Sequence, residues 1–566
     1  MNQELIIILK KIFGADAPIE ISVPEEELFG HYATNFALRQ AKIKGVPPLD
    51  LAKEYAARIV AAAPVGFFQK VEAAAPGFIN FWLSDKTLHE AFKHIAADKK
   101  YGAGNVGKGK TVIVEYSSPN IAKAMHVGYL RNTVIGEAMG NILALSGYRV
   151  VRWNYVGDWG TQFGKLIVAY KKWGDKKRVE ENPIEELQKL YVHFHEEMKS
   201  DPDLEKRGQE EFKKLEEGDR ENRRLWAWFK KESLEEFKKM YKLLDADFDV
   251  WIGESFFEGE MKAIVKELVK KGIAERSEGA IVVKLDEAHL PPALLEKSDG
   301  ASIYLARDIA NLGYRLKKYK PAKILYVVGN EQALHFEQLF AIAKMLGWNS
   351  AELQHIKYGL VFGEGGKKFS TRTGEVELLE NLINTAVVKA REVIEAKNPD
   401  LPAEEKTDVA FAVAMGALKY NNLKENRTTE IIFDWGKMLD FSGDSAPYLQ
   451  YTYARLKSIL RKGEASGSRS KPNISSLDRT TELALMRKLF EFPDVVMRAG
   501  ELYSTSTLAV YLYKLAVTAN KFYETTPILK DDDAARRAAR LLLIATAARV
   551  LQKGLGLLGI KTLEKI

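Results

Sequence analysis

A chain of 566 residues, 46% hydrophobic and 28% charged, has the length for several domains with large cores and the composition of a globular protein, which excludes wholesale disorder. The absence of cysteine excludes disulfides and thiolate metal sites. The net charge of +7 is uneven: residues 441–566 hold 20 Lys and Arg against 12 Asp and Glu, while the first 440 hold 64 against 65, so the basic excess sits where a polyanion, or only solvent, could meet it.

The opening Met1–Lys11 carries a five-residue apolar run, Leu5–Leu9, too short for a secretory h-region or a membrane span; a cytoplasmic protein without a membrane partner is expected. Residues 1–105 alternate helical and strand-like patterns, as an α+β unit, and carry the apolar run Pro76–Leu83 behind a Pro-Gly turn. The Gly-rich stretch Tyr101–Lys110 links this unit to the next. From 111 to about 390, β-branched runs alternate with amphipathic helices. That pattern predicts a parallel α/β sheet within a unit over 106–400, with strands at 111–116, 148–155 and 323–328. Residues 171–247, crowded with Lys and Glu, predict long exposed helices inserted into that core, whose second half begins near Phe248. From about 405 onward apolar residues recur at helical spacing, as in Met415–Ala417, Tyr448–Leu460 and Ala534–Leu558, so an all-helical unit is predicted over 401–566. Within it the Gly- and Ser-rich stretch Lys462–Ser476 predicts a loop.

Chemistry concentrates at Glu115–Gly136. The β-branched run Thr111–Val114 precedes it and a helical pattern follows through Leu145, so strand, polar loop and helix N-terminus meet around His126 and Gly128. A helix N-terminus offers unpaired N–H groups and the positive end of the helix dipole, which suits a phosphate. Gly128 leaves room for a flat ligand against the backbone, and His126 and Lys123 add donors. A second polar loop, Lys367–Glu375, follows the apolar run Tyr358–Phe362 and a glycine turn. Cations on a loop outside a strand end can close over a leaving polyphosphate; standing alone, this is a basic surface loop. Tyr304 and Asp308, four apart in Ser302–Asp308, share a helix face, and by themselves would be surface residues. Gly157 and Gly160 in Asn154–Gly164 imply a tight loop at a strand end, either a ligand edge or a packing turn.

Three other patterns carry no site. Gly102–Gly107 and Gly554–Gly559 fit G-x-G-x-x-G, but the first precedes its strand and the second trails a helix, so neither is a dinucleotide fingerprint. Gly365–Ser370 lacks the P-loop spacing. His193 and His195, two apart on a helix, do not share a face and are expected to be solvated rather than metal-bound.

The string Ser-Pro-Asn-Ile-Ala-Lys-x-x-His-Val-Gly over 118–128 resembles the "HIGH" signature of class I aminoacyl-tRNA synthetases, in the form used by the arginyl-tRNA synthetase family, with Tyr129 in place of the second histidine. Lys367–Glu375 resembles that class's "KMSKS" loop, with Thr371 and Arg372 in the last two places; Lys123 matches the lysine thought to substitute for the one missing there. The resemblance implies a Rossmann-like (HUP-type) catalytic core with a helical insertion, an α+β N-terminal domain touching the tRNA elbow, and an all-α, DALR-like anticodon-binding domain. It implies His126, Lys123 and Lys368 as catalytic residues, and ATP binding by His126, Gly128, Tyr129, Lys368, Ser370 and Arg372. Arginine, planar with five donors, needs carboxylates and an aromatic or amide wall. Glu115, Asn120, Tyr304, Asp308 and Gln332 match the family's arginine positions, while Gly329 stands where an Asp is usual. His31–Ala37, with Asn35, and Pro76–Asn80 resemble the elbow-binding domain; Tyr448 and Tyr511 lie in segments resembling the anticodon-binding domain, where aromatics can stack on splayed bases. The implied reaction is ATP-dependent arginine–tRNA ligation on L-arginine, ATP with Mg2+ and tRNA(Arg), by a monomer without zinc or a tightly bound organic cofactor. The other reading is a tRNA-binding paralogue with impaired catalysis, because tyrosine at 129 is bulkier than histidine and neutral near pH 7.

Overall fold

Five short parallel strands set the position of the site. The computed structural model describes residues 2–24, 26–298, 304–366, 377–465 and 470–566. In it, β1 (Thr111–Glu115), β2 (Arg149–Val156), β3 (Val250–Gly253), β4 (Lys323–Tyr326) and β5 (Glu352–His355) form a sheet in the order β5-β4-β1-β2-β3. All four pairings are parallel, and every residue of β1 is buried, as expected for a central strand covered on both faces. The chain leaves β1 for β2 and β3 on one side, then crosses back to β4 and β5 on the other. The connections after β1 and β4 therefore diverge and leave a crevice at the carboxyl ends of the strands, where open α/β sheets bind ligands. Glu115 lies beside Trp153 of β2 and Tyr326 of β4, on the floor of that crevice.

Helix α1 (Gly128–Leu145) follows β1 and is buried nearly all round. Gly136 lets it press onto the end of β1; a Cβ there would come within 2.1 Å of the Tyr116 ring. The insertion forms helices Lys176–Glu181, Pro183–Glu197, Asp203–Glu216 and α2 (Arg220–Leu244). They are helical as the Lys/Glu pattern predicts but not simply exposed, since Phe194, Leu204, Leu215 and Phe229 are fully buried along one stripe. An antiparallel sheet of Glu275–Ser277, Ala280–Val283 and Ala293–Glu296, not anticipated from the sequence, precedes α3 (Tyr304–Tyr319); α4 (Ala333–Met345) joins β4 to β5.

The N-terminal unit packs helices on the antiparallel strands Tyr32–Thr34, Phe68–Ala74 and Phe78–Leu83, and continues into helix Asp85–Ala97. The C-terminal unit is a bundle that includes Ala403–Leu423, Ala446–Ala465, Thr480–Phe490, Phe492–Glu501, Thr505–Thr525 and Ala534–Leu557. Its predicted loop starts later than Lys462, because the helix continues to Ala465; residues 466–469 lie outside the described residues. The two terminal units meet: His89 Nε2 is 2.8 Å from the Leu477 carbonyl, Tyr101 donates to the Leu489 carbonyl at 2.8 Å, and Arg549 donates to the Ile95 carbonyl at 2.6 Å. The bundle also grips the amino ends of β4 and β5, where the Tyr503 hydroxyl joins Lys323 (2.8 Å) to Glu352 (2.6 Å). No helix among the described residues is long and apolar enough to cross a membrane.

Candidate active site

The chain leaving β1 turns through left-handed backbone at three non-glycine residues, Ser117 (φ +67°), Ser118 (+50°) and Ala122 (+59°). Each such residue costs about 1–3 kcal/mol and persists only where its surroundings hold it. Here the surroundings are explicit. Asn132 of α1 accepts from the Ser117 N–H and donates to the Val327 carbonyl at 2.9 Å, joining the ends of β1 and β4. Tyr241 of α2 bonds the Ser117 hydroxyl at 2.6 Å, and Ser233 of α2 accepts from the Ala122 N–H at 3.0 Å. The inserted helices thus brace the loop from outside.

At the end of that loop the Gly128 N–H donates to His126 Nδ1 at 3.1 Å, which leaves the imidazole proton on Nε2. Burial, and then the charge of Lys123, hold His126 below its ordinary value, so near pH 7 it is a neutral Nε2–H donor. A Cβ on Gly128 would lie 2.8 Å from His126 Cε1, so this glycine makes room for the imidazole as well as for a ligand. The first backbone donors of α1 are engaged within the turn: besides Gly128 N–H on His126, Tyr129 N–H bonds the His126 carbonyl at 2.9 Å and Leu130 N–H the Val127 carbonyl at 3.0 Å. What this helix start offers a phosphate is the positive end of its dipole beside the His126 Nε2–H. Lys123 is exposed, its Nζ 5.5 Å from the Tyr191 ring centroid. The Tyr129 ring lies 4.6 Å from that of His126; its hydroxyl is bonded to the Asn120 backbone, and burial raises its pKa, so it is neutral.

Met125–Val127 also pairs with the chain that follows the second basic loop. Val127 N–H donates to the Glu377 carbonyl at 3.1 Å and Leu379 N–H to the Met125 carbonyl at 2.9 Å. On the other side of that loop, Val361–Phe362 pairs in parallel with Ile431–Ile432. Lys368, Ser370 and Arg372 themselves lie outside the described residues. Arg131 of α1, wholly buried, donates to the carbonyls of Gly359 (2.8 Å), Leu360 (3.2 Å), Asn426 (3.5 Å) and Arg427 (3.0 Å), and burial lowers its pKa to about 10.

Across the crevice, α3 covers the floor. Asp308 accepts from His335 of α4 at 2.6 Å. Burial would lower the pKa of His335, but the hydrogen bond and charge of Asp308 outweigh it and raise it. Two turns deeper, Arg315 bonds Glu115, both of them buried, with the guanidinium 4.4 Å from the Trp153 ring centroid. Burial raises Glu115 against the opposing charge of Arg315, so this carboxyl already serves a resident guanidinium. Tyr304 is 58% exposed at the start of α3, and Gln332 is exposed just before α4. Asn120 forms a backbone bridge to Gly157, whose missing side chain admits the Asn120 amide. Gly329, bridged to Tyr358, contributes no carboxylate to this rim.

Several groups here were not singled out from the sequence. Glu254 pairs with Arg307 at 2.5 Å; burial pushes its carboxyl up to about 8 despite Arg307, with Asp308 and Asp158 adding to the rise. Asp158, fully buried, accepts from the Ser255 N–H and hydroxyl (2.8 and 2.7 Å) and from Lys230 (2.5 Å), which makes its end of Asn154–Gly164 a packing turn. Tyr155, in the same stretch, and His335 belong to the crevice. Both lie in runs whose glycines drew attention first, and only the path of α3 across the sheet brings them to Asp308. His193 and His195 pack their rings against Trp173 and Tyr191 (4.5 and 4.7 Å) rather than facing open solvent; among the described residues no group of three His, Asp or Glu is placed to hold a metal.

Away from the crevice, Asn35 stands at the start of helix Phe36–Lys44 with its Oδ1 buried and unbonded. Tyr448 is half-buried and accepts from Asn520 at 3.0 Å. Tyr511 is buried, donating to the Lys488 carbonyl at 2.9 Å with its ring 5.9 Å from Phe492, so it is a core residue in this arrangement. Tyr523, 37% exposed beneath the Arg455 guanidinium at 5.4 Å, is an aromatic–cation pair that does reach the surface.

The crevice therefore has a donor wall at His126, at the positive end of the α1 dipole, and a cation-seeking wall at Asp308. Comparisons with known proteins place the whole chain. The model of the catalytic domain of tRNA synthetases class I (R) matches residues 91–435, that of the arginyl tRNA synthetase N terminal domain residues 1–83, and that of the DALR anticodon binding domain residues 449–566. A Fusobacterium nucleatum protein named arginine–tRNA ligase is 44% identical over 553 residues, covering 97% of this chain and 95% of that protein. One of the same name from Clostridium perfringens is 43% identical over 550 residues, 96% of each. Among solved structures, Thermus thermophilus arginyl-tRNA synthetase matches with a TM-score of 0.84 at 26% identity, covering 100% of both chains. The Plasmodium falciparum arginyl-tRNA synthetase matches at 0.82 and 25%, covering 100% of this chain and 99% of that one.

Proposed function

The chain belongs to the class I arginyl-tRNA synthetase family, an ATP-dependent arginine–tRNA ligase in kind, and from that premise we propose which groups carry the reaction. The observation that supports the assignment is the pairing, across one switch-point crevice, of a neutral His126 at the start of α1 with Asp308 on α3. The carboxylate of arginine attacks the α-phosphorus of ATP in line; the bond to pyrophosphate breaks and arginyl-adenylate remains. The terminal ribose of tRNA(Arg) then takes the aminoacyl group, at the 2′-OH first, and AMP leaves. A carboxylate is already a nucleophile, so the first step needs positioning and charge neutralisation more than a base.

His126 donates Nε2–H to the phosphates, Lys123 and Lys368 offset their charge, and Gly128 and Tyr129 border the nucleotide, with Ser370 and Arg372 on the basic loop. Asp308 takes the guanidinium, Tyr304 walls it, and Asn120 and Gln332 line the remainder, above the Glu115–Arg315 floor. Magnesium enters on the ATP polyphosphate as part of the substrate. Residues 1–105 meet the tRNA elbow near Asn35 and residues 401–566 meet the anticodon, in a monomeric cytoplasmic enzyme whose catalytic unit spans 106–400. Aminoacylation and pyrophosphate exchange, run with and without tRNA(Arg), test the reading. Asp308→Ala raises the arginine KM by about 10–100-fold with the ATP KM unchanged, the loss expected for a hydrogen bond to a charged group; an unchanged arginine KM refutes the pocket.

A further inference from the structure

Tyr155 stands on β2 two residues beyond Trp153, whose partner on β1 is Glu115. Side chains alternate along a strand, so Tyr155 shares the face of Trp153 and Glu115, the face covered by α3. Two residues advance the strand by roughly 6.6 Å, which places the phenol one layer nearer the crevice mouth than the Glu115–Arg315 floor. Helix α3 runs the opposite way, ending just before β4 begins, so Asp308 lies about 10 Å closer to the mouth than Arg315. The two displacements bring Tyr155 and Asp308 toward one level. The ring is fixed there, edge-on to Phe257 at 6.1 Å, with the Arg315 guanidinium 5.9 Å from its centroid.

The hydroxyl is what lacks an explanation. Tyr155 is 9% exposed, and its Oη is buried without a hydrogen-bond partner, an arrangement that costs free energy unless a ligand completes it. Burial, then Asp308, Glu254 and Glu115, drive its ionisation well upward, so it stays a neutral phenol among carboxylates. A neutral oxygen can accept an N–H from a cation without adding charge.

We propose that Tyr155 is a specificity-determining residue for arginine, its hydroxyl accepting one guanidinium N–H of a side chain seated on Asp308. The assignment rests on the arginine pocket argued above. Asp308 meets one edge of the planar fork and Tyr155 another, a span that the single ammonium of lysine cannot bridge.

The test is Tyr155→Phe, which keeps the ring and removes only the oxygen, beside Asp308→Asn. Tyr155→Phe is expected to raise the arginine KM about ten-fold, with kcat and the ATP KM within two-fold of wild type and no fall in Tm. The rise in Tm on adding arginine alone, without turnover, should shrink in parallel. An arginine KM raised by Asp308→Asn but not by Tyr155→Phe overturns the Tyr155 assignment and leaves the pocket standing. If neither change moves it, the pocket itself is wrong. A Tyr155→Phe protein whose Tm falls, or whose ATP KM rises as much as its arginine KM, shows a packing role and overturns the proposal.

Discussion

Asp308 cannot serve two cations equally, and His335 is already there, 2.6 Å away. The raised pKa of His335 means that it carries charge at and somewhat above its ordinary value of 6.5. The sign for stability follows: the pair's extra stabilisation is complete below 6.5 and is lost as pH rises through the raised value. For arginine the sign is opposite, because loss of the imidazolium charge leaves the Asp308 carboxylate to the incoming guanidinium. The arginine KM should therefore fall as pH rises through that range and then level off, while His335→Gln should flatten the profile. A wild-type KM that climbs over the same interval would contradict the competition.

Helix α1 carries more than its N-terminus. The fourth residue of it, Arg131, gathers carbonyls from 359–360, on the approach to the second basic loop, and from 426–427, and among the described residues no carboxylate accepts from it. Leu360, Asn426 and Arg427 each keep a backbone donor without it, so Arg131→Ala would strip the Gly359 carbonyl of this partner and leave a cavity where a wholly buried side chain stood. A loss of about 3 kcal/mol in chemical denaturation is expected, as for large-to-small changes in a core. A change within about 0.5 kcal/mol, the range of an ordinary surface substitution, would show that solvent reaches those carbonyls. Such long-range ties are what sequence patterns carry least well. The β-branched run at 111–114 and the helical periodicity after 405 were legible because one element's own period states them. Val250–Gly253 and Glu352–His355, four residues each, are too short for any period to show. In the insertion the Lys and Glu crowd hid the buried stripe, and nothing local marks Ser233 and Tyr241 as braces of the loop before His126. Among the expected site residues, His126 and Gly128 do lie together. Glu115 is legible as a crevice residue, but its partner Arg315 lies 200 positions away.

At the scale of the molecule, the C-terminal bundle has its own buried polar centre. Arg540 bonds Glu482 at 2.6 Å and also Asp531, and Asp531 in turn binds Arg536 at 2.7 Å. The Arg536 bond, with help from the Asp533 N–H and Arg540 against the cost of burial, holds the Asp531 carboxyl at about 2. A depressed carboxylate stabilises fully above its ordinary value of 3.8 and ceases to as pH falls through about 2. Arg540→Ala leaves Glu482 buried without its partner and should cost about 3–5 kcal/mol; a Tm unchanged at pH 7 would show that the cluster is not coupled to unfolding.

The same bundle leans on helix Asp85–Ala97 through Leu477 and Arg549, on α1 where Gly500 lies against Ile142, and on β4 and β5 through Tyr503. A string of domains would let its outer members drift along their linkers. Here the first is clasped to the last, and the last to the middle, so the spacing of the outer units is set by direct contacts, as the jaws of a gauge are set by its frame. If those jaws grip a tRNA at elbow and anticodon, its length between the two is measured against contacts already made before it arrives. A tRNA(Arg) lengthened in its anticodon stem would then have to release one jaw.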